Sequence, residues 1–360
     1  MYKMLSRIIG CVFLIIGVTI GGGLLALPTI TAGLGIIVSS ILLFIIWTIM
    51  TYSSLLILEV NLQLPKNNNL ISMARHSLGY AGEIICWLSY LLLLYCLLCA
   101  YIAGGGDLFH NLFQSVHLPI NLTFSIIIFV MIFAMIVWQG IKVVDNINRI
   151  FMIIKLLTYI LLLFAITRHI HFNYLQTQVH YNNLLSSIMI IITSFGYGII
   201  IPSMQTYLKN DVKILRKVII GGSFIPLIFY FIWIFCIQAT IKTKTLINIS
   251  NSNQVTAELM RTLNAINNEN HWLISLSHVF IIICIFTAFL GVSLSLTDFL
   301  TDGLKLQKTF LKKLLIFILA FLPALLIVML KPSMFILGLQ YAGICCVIIL
   351  IAFPALMAFY

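Results

Sequence analysis

Gly17-Val18-Thr19-Ile20-Gly21-Gly22-Gly23-Leu24-Leu25-Ala26-Leu27-Pro28 lies within an apolar run, about 8–37, that is long enough to cross a bilayer. The run carries the residues least able to sustain a helix. Each glycine costs about 1 kcal/mol relative to alanine inside a helix, and Pro28 removes one more backbone hydrogen bond. In hydrocarbon, unpaired backbone is tolerated only where protein or a water-filled cavity replaces lipid. Two readings follow: a membrane helix broken at mid-depth with its backbone free to hold a ligand, or a continuous helix whose glycines allow close packing.

Composition sets the class. Of 360 residues, 62% are hydrophobic and 8% charged, and the mean hydropathy is +1.15; soluble domains carry about 25% charged residues. The apolar runs are continuous rather than alternating, which excludes a porin-type barrel. The first segment is too long and glycine-rich for a cleaved signal peptide. The reading is an all-α membrane protein forming one transmembrane domain over 1–360. The net charge of +11 reports orientation rather than nucleic-acid binding, because the basic residues sort by loop. All eight cysteines lie in or beside apolar segments without further ligands nearby, so neither a metal nor a cofactor is expected.

About ten spans are predicted, near 8–37, 38–62, 82–109, 120–138, 147–168, 184–206, 217–241, 272–298, 313–330 and 334–359. One side gathers Lys3, Arg7, Lys66, Arg75, Lys142, Arg149, Lys209, Lys213, Arg216, Lys217, Lys305, Lys308, Lys312 and Lys313. The other holds only Arg168, Lys242, Lys244, Arg261 and Lys331. The positive-inside rule makes the first side, and the amino terminus, cytoplasmic. The Asn-rich connection, about 242–271, reads as a lid over an outer vestibule, because 258–266 could form a short amphipathic helix; a plain surface loop is the other reading.

The sixth span repeats the recipe of the first: Thr193-Ser194-Phe195-Gly196-Tyr197-Gly198, then Pro202. Five helices separate the two, so they run in opposite directions. Interrupted segments at corresponding places in two halves point to a transporter's binding site, which favours the broken-helix reading. Freed amides can cradle a carboxylate, and freed carbonyls an ammonium group. A zwitterionic amino acid suits both. Thr19, Ile20, Gly21, Gly22 and Gly23 of the first break are the candidate substrate contacts with Ser194, Phe195, Gly196 and Tyr197 of the sixth span. Tyr101 on the third span is preferred over Tyr95, which faces another neighbour. Phe286 and Phe289 share a face of the eighth span and either could bound a side chain, although plain packing also accounts for all these aromatics.

Lys155 is the sharpest single residue. It lies some eight residues into the fifth span, roughly 12 Å deep, too far for easy snorkelling. An intramembrane ionisable group is functional by default, and this one is read as a proton carrier whose surroundings alternate between water and protein. Glu59, Glu83 and Asp107 sit near helix ends. Asp298 and Asp302 are spaced i, i+4 beside Lys305, as in a cytoplasmic ion-pair cluster. His278 reads as a packing histidine. Walker-type loops, metal clusters and nucleophile–base arrangements are absent from the sequence, and no catalytic residues are assigned.

Together these residues resemble the bacterial tyrosine- and tryptophan-specific branch of the hydroxy/aromatic amino acid permeases. The resemblance spans the chain, through 17–28, Leu58-Glu59-Val60, Ala100-Tyr101-Ile102-Ala103-Gly104, Asn148-Arg149 with Lys155, Thr193-Ser194-Phe195-Gly196, Phe289-Leu290-Gly291-Val292 and Gly338-Leu339-Gln340-Tyr341-Ala342-Gly343. It implies a five-plus-five inverted repeat, about 8–168 and 184–359, as in the amino acid–polyamine–organocation superfamily. The implied activity is proton-coupled uptake of an aromatic amino acid across the inner membrane. It also implies that Lys155 occupies the place of a sodium ion in sodium-coupled relatives, with Thr287 as its neighbour. Two features depart from the family pattern: an eleventh helix is usual there, and Gly21-Gly22-Gly23 replaces glycine–alanine–glycine. A sodium-coupled or exchange carrier for another neutral amino acid is the nearest alternative. A channel or sensor on the same fold is the more distant one.

Overall fold

The computed structural model describes residues 2–64, 69–175, 179–208, 211–266, 271–304 and 310–359. Lys66, Lys209, Lys305 and Lys308 of the basic loops lie outside the described residues. The described residues form helices and no strand. In order these are α1 (Tyr2–Thr19), α2 (Gly22–Ile30), α3 (Gly35–Gln63), α4 (Leu70–Ser115), α5 (Leu122–Trp138), α6 (Ile141–Ile166), α7 (Leu184–Ser194) and α8 (Ile201–Tyr207). They continue with α9 (Val212–Thr240), α10 (Thr243–Ser250), α11 (Val255–Ile266), α12 (His271–Gly303), α13 (Phe310–Leu330), α14 (Met334–Cys346) and α15 (Phe353–Phe359).

Eight helical stretches among the described residues are long and apolar enough to cross a bilayer, against the ten spans expected. The shortfall has local causes. The break at Gly21 leaves Arg7–Thr19 as a shorter apolar helix, and Leu122–Trp138 is also short. The apolar stretch Gly22–Gln63 holds α2 and α3 together. Span limits also move. The third begins at Leu70 rather than 82, because Asn69 and Ser72 form a capping box and the helix bends at Gly79. The fifth begins at Ile141, directly after Gly140 turns the chain with φ 94°.

The α4 helix is the hub, packing against α5, α12, α13 and α14. Side chains such as Ile37 (73% exposed), Phe44 (57%) and Phe164 (65%) point away from the protein. Rows of this kind are unsustainable in water and natural against lipid.

Two of the prolines within the spans leave carbonyls without their helical donors, and hydroxyls from neighbouring helices take them. Pro323 would orphan the Leu319 carbonyl, and Tyr95 donates to it at 2.6 Å. Pro354 does the same to Leu350, beside a π-helical stretch at Val347–Ala352, and Ser53 donates to that carbonyl. Tyr95 is thereby accounted for as a residue of α4 that packs against α13.

Small residues set the helix spacing. A methyl group added at Gly343 would strike the carbonyl of Met189, so α14 and α7 touch backbone to backbone, whereas Gly221 on α9 has nothing within 4 Å. Gly343→Ala is therefore expected to lower stability in detergent by about 1–3 kcal/mol. Gly221→Ala is expected to be neutral or stabilising by up to about 1 kcal/mol. Thermal unfolding of the purified variants measures the contrast.

Candidate functional site

The α1 and α2 helices part at Ile20–Gly21, and the backbone bonding shows how. A continuous helix would carry Leu24 N–H to the Ile20 carbonyl; here it donates to Gly21 at 3.2 Å instead. Gly21 N–H turns back to the Thr19 carbonyl at 2.9 Å. The Ile20 carbonyl is thus released, and Gly22 and Gly23 stand at the amino end of α2, where a helix offers no internal acceptors. The partner break follows Ser194: α7 stops, residues 196–200 tighten into a 3-10 turn, and α8 resumes at Ile201.

The breaks face each other. A β-carbon at Gly23 would collide with the Ser194 side chain, and one at Gly22 would lie 2.5 Å from Cε1 of Tyr101. Gly21 borders Ala288 of α12. Glycine is thus required here for close approach rather than for an unusual torsion angle.

Two side chains secure the released carbonyls. Lys155, 1% exposed, donates to the Ile20 carbonyl at 2.5 Å and to Thr287 Oγ1 at 3.2 Å. Thr287 passes its own proton to the carbonyl of Ile283 at 2.9 Å. Because α6 starts earlier than predicted, Lys155 stands roughly 21 Å along it. Among the described residues no carboxylate bonds it, so one amine joins α6, the first break and α12 through neutral oxygens.

The second is Tyr230, fully buried on α9. Its hydroxyl lies 2.5 Å from the Thr19 carbonyl and 3.0 Å from the Ser194 carbonyl, so its single proton is shared between the two breaks. Sequence reading missed this residue. A lone tyrosine hydroxyl amid the apolar residues of α9 was the available signal, since a buried Tyr O–H needs a partner.

The other predicted residues divide. Thr19, Ile20, Gly21, Gly22, Gly23, Tyr101, Ser194, Lys155 and Thr287 come together, and Phe195 meets Tyr230 edge to face at 5.3 Å. Gly196 instead borders Cys346 on α14, and Tyr197 turns to α3, donating to Thr51 Oγ1 at 2.9 Å. Phe286 and Phe289 are not at the break. Both join the cluster of Phe129 and Phe133, with Phe286 and Phe133 centred 4.2 Å apart. The helical turn explains this: Thr287 and Ala288, between them in sequence, take the face toward the break.

Asp107 corrects an expectation. Expected near water at a helix end, it is 1% exposed, and its Oδ2 has no hydrogen-bond partner among the described residues. The α4 helix runs on to Ser115, and α11 covers it. Thr256 donates to the Gly104 carbonyl, and Arg261 reaches Asn111 and Gln114. The helix expected within 258–266 is therefore present and packs over the outer end of α4. Glu59 pairs with Arg216 at 3.0 Å, Glu83 with Arg75 at 3.3 Å, and His278 with Asn264 at 2.7 Å.

A helical membrane protein with paired broken segments enclosing a buried lysine has the architecture of a carrier. The chain matches the model of the tryptophan/tyrosine permease family over residues 4–360, and it belongs to that family. It is 30% identical to tyrosine-specific transport system 2 of Haemophilus influenzae, over 98% of this chain and 87% of the relative. The tryptophan-specific transport protein of the same organism is also 30% identical, with the same coverage. Glutamine transporter 2 of Aliivibrio fischeri is 29% identical over 98% of this chain and 88% of its own length. These relatives are transporters, not enzymes.

Removing the hydroxyl in Tyr230→Phe takes the shared donor from the Ser194 carbonyl and leaves the Thr19 carbonyl with the Gly21 N–H alone. Thermal unfolding in detergent should show a loss of about 1–3 kcal/mol, whereas Tyr207→Phe, at the exposed end of α8, should show none.

Proposed function

We propose that the chain is a proton-coupled symporter that imports an aromatic amino acid, tyrosine or tryptophan, by alternating access across a bacterial inner membrane. Its ten spans form a five-plus-five inverted repeat with a cytoplasmic amino terminus. Family membership supports amino-acid transport, and the names of most relatives favour an aromatic substrate. The basic residues of alternate loops support the orientation.

One observation carries the coupling: Lys155 donates to the Ile20 carbonyl released by the break. A protonated amine holds α6, the break and α12 together as a bound cation would. Losing the proton weakens that hold and lets α1 move relative to α12. Substrate would sit beside the same break. Amides of Gly22 and Gly23 meet its carboxylate at the positive end of α2, while Gly21, whose N–H is held by the Thr19 carbonyl, shapes the turn beside it. Carbonyls of Ser194, Phe195 and Gly196 accept from its ammonium, and Thr19 and Ile20 complete the backbone wall. Tyr101 closes the pocket over Gly22, and Tyr197 supports the second break through Thr51. Phe286 and Phe289 shape the side-chain end indirectly through the phenylalanine cluster.

A second reading is favoured by the glutamine transporter among the relatives: a carrier for a neutral amide amino acid. Uptake of each labelled amino acid into vesicles under a pH gradient separates the two. The expected result is accumulation of tryptophan or tyrosine that excess glutamine does not displace.

One proton moving down about 100 mV supports roughly fiftyfold accumulation. Lys155→Gln is expected to abolish this accumulation while leaving the protein in the membrane, with exchange of internal for external substrate persisting. Normal concentrative uptake by Lys155→Gln would remove the lysine from the coupling.

A further inference from the structure

Tyrosines inside the spans differ in what their hydroxyls do. Tyr95 gives its proton to the Leu319 carbonyl at 2.6 Å, and Tyr159 gives its proton to the Phe229 carbonyl at 2.7 Å. In each, one donor meets one acceptor. The Tyr230 oxygen instead lies within 3.0 Å of two carbonyls, Thr19 in the first break and Ser194 in the second. A hydroxyl has one proton and two acceptor lone pairs, so the proton points at one carbonyl at a time. Among the described residues no group donates to the Tyr230 oxygen itself.

The two contacts are unequal. The Thr19 carbonyl is the nearer, at 2.5 Å, and also receives the Gly21 N–H. Ser194 is the last residue of α7, where a helix runs out of internal donors for its carbonyls, and its contact with Tyr230 is the longer. The hydroxyl is held at this point, because its ring is fully buried and meets Phe195 edge to face. The junction of the breaks thus presents a weakly served carbonyl beside an oxygen with unused lone pairs. That pair suits a group with several N–H donors and no acceptor, which is a primary ammonium.

We propose that Tyr230 is a substrate contact that caps the Ser194 carbonyl in the empty carrier and gives it up to the ammonium group of the arriving amino acid. The Tyr230 proton then stays with Thr19, one ammonium N–H goes to the Ser194 carbonyl, and a second goes to the Tyr230 oxygen. The exchange only re-pairs hydrogen bonds, and every proton keeps its parent atom. The inference rests on the aromatic-carrier reading above and adds a residue of α9 to its site. Its consequence is selective: the hydroxyl strengthens binding only of ligands that carry an ammonium group.

The test uses membrane vesicles containing the full chain under a pH gradient. It reads inhibition of labelled tryptophan uptake by unlabelled tryptophan and by indole-3-propionate, which lacks the ammonium. The corresponding tyrosine series is used if tyrosine alone is carried. The readout is the ratio of the two inhibition constants, which does not depend on how much protein is present. Tyr230→Phe is expected to weaken tryptophan about tenfold, the strength of a hydrogen bond to a charged group, and to leave indole-3-propionate unchanged. A hydroxyl that only supports the fold weakens both alike, so an unchanged ratio overturns the proposal. Wild-type vesicles supply a second measurement, which decides if the variant fails to reach the membrane. N,N-dimethyltryptophan has one N–H for two acceptors and is expected to inhibit about tenfold less well than tryptophan; equal inhibition overturns the proposal. Either failure leaves the carrier reading standing as long as the wild type transports. Wild-type vesicles that take up neither labelled tryptophan nor labelled tyrosine overturn both.

Discussion

Backbone hydrogen bonding inside an apolar solvent is the constraint on which this structure depends. A carbonyl without a donor costs several kcal/mol in hydrocarbon, so any interruption of a span must be answered by another group. At Ile20–Gly21 the answers are the Lys155 amine and the Tyr230 hydroxyl, which reach the Ile20 and Thr19 carbonyls from α6 and α9. The break is therefore a junction of elements distant in sequence. Its geometry can change only if those donors change partners, which links local backbone chemistry to the movement of whole helices.

The same rule operates at the prolines, with a different result. Tyr95 and Ser53 satisfy the carbonyls of Leu319 and Leu350 with neutral hydroxyls from adjacent helices. Hydroxyls are neutral donors, so these sites act as fixed struts. An amine at Lys155 is a donor whose charge can vary, and it sits at the one interruption that also faces a second interruption. Placing the variable donor at the break and the invariant ones at the kinks separates moving parts from scaffold.

Glycines contribute through closeness. Gly22 and Gly23 let Tyr101 and Ser194 approach the backbone of the break, and Gly343 brings α14 against the α7 backbone. With lipid as apolar as the side chains, such contacts and the hydrogen bonds across them supply the adhesion between helices. Around them Phe129, Phe133, Phe286 and Phe289 fill the interior between α5 and α12.

Much was legible in the residues alone. Apolar runs gave the helical membrane class, because a bilayer of known thickness requires a minimum length of apolar chain. Glycine and proline positions marked both interruptions, since those residues fail in helices for local steric reasons, and Lys155 stood out because a charge is costly wherever a span buries it. What the sequence could not assign was direction around each helix axis. Tyr230 and Tyr95 are both tyrosines inside apolar spans, yet one clasps the breaks and the other serves a proline kink. Phe286 and Phe289 flank Thr287, which lies at the lysine, while their rings turn to α5. Asp107 looked like a terminal carboxylate until α11 was found packed over the end of α4. Each of these outcomes depends on which neighbour a helical face meets, and that is decided by the packing of helices far apart in the chain.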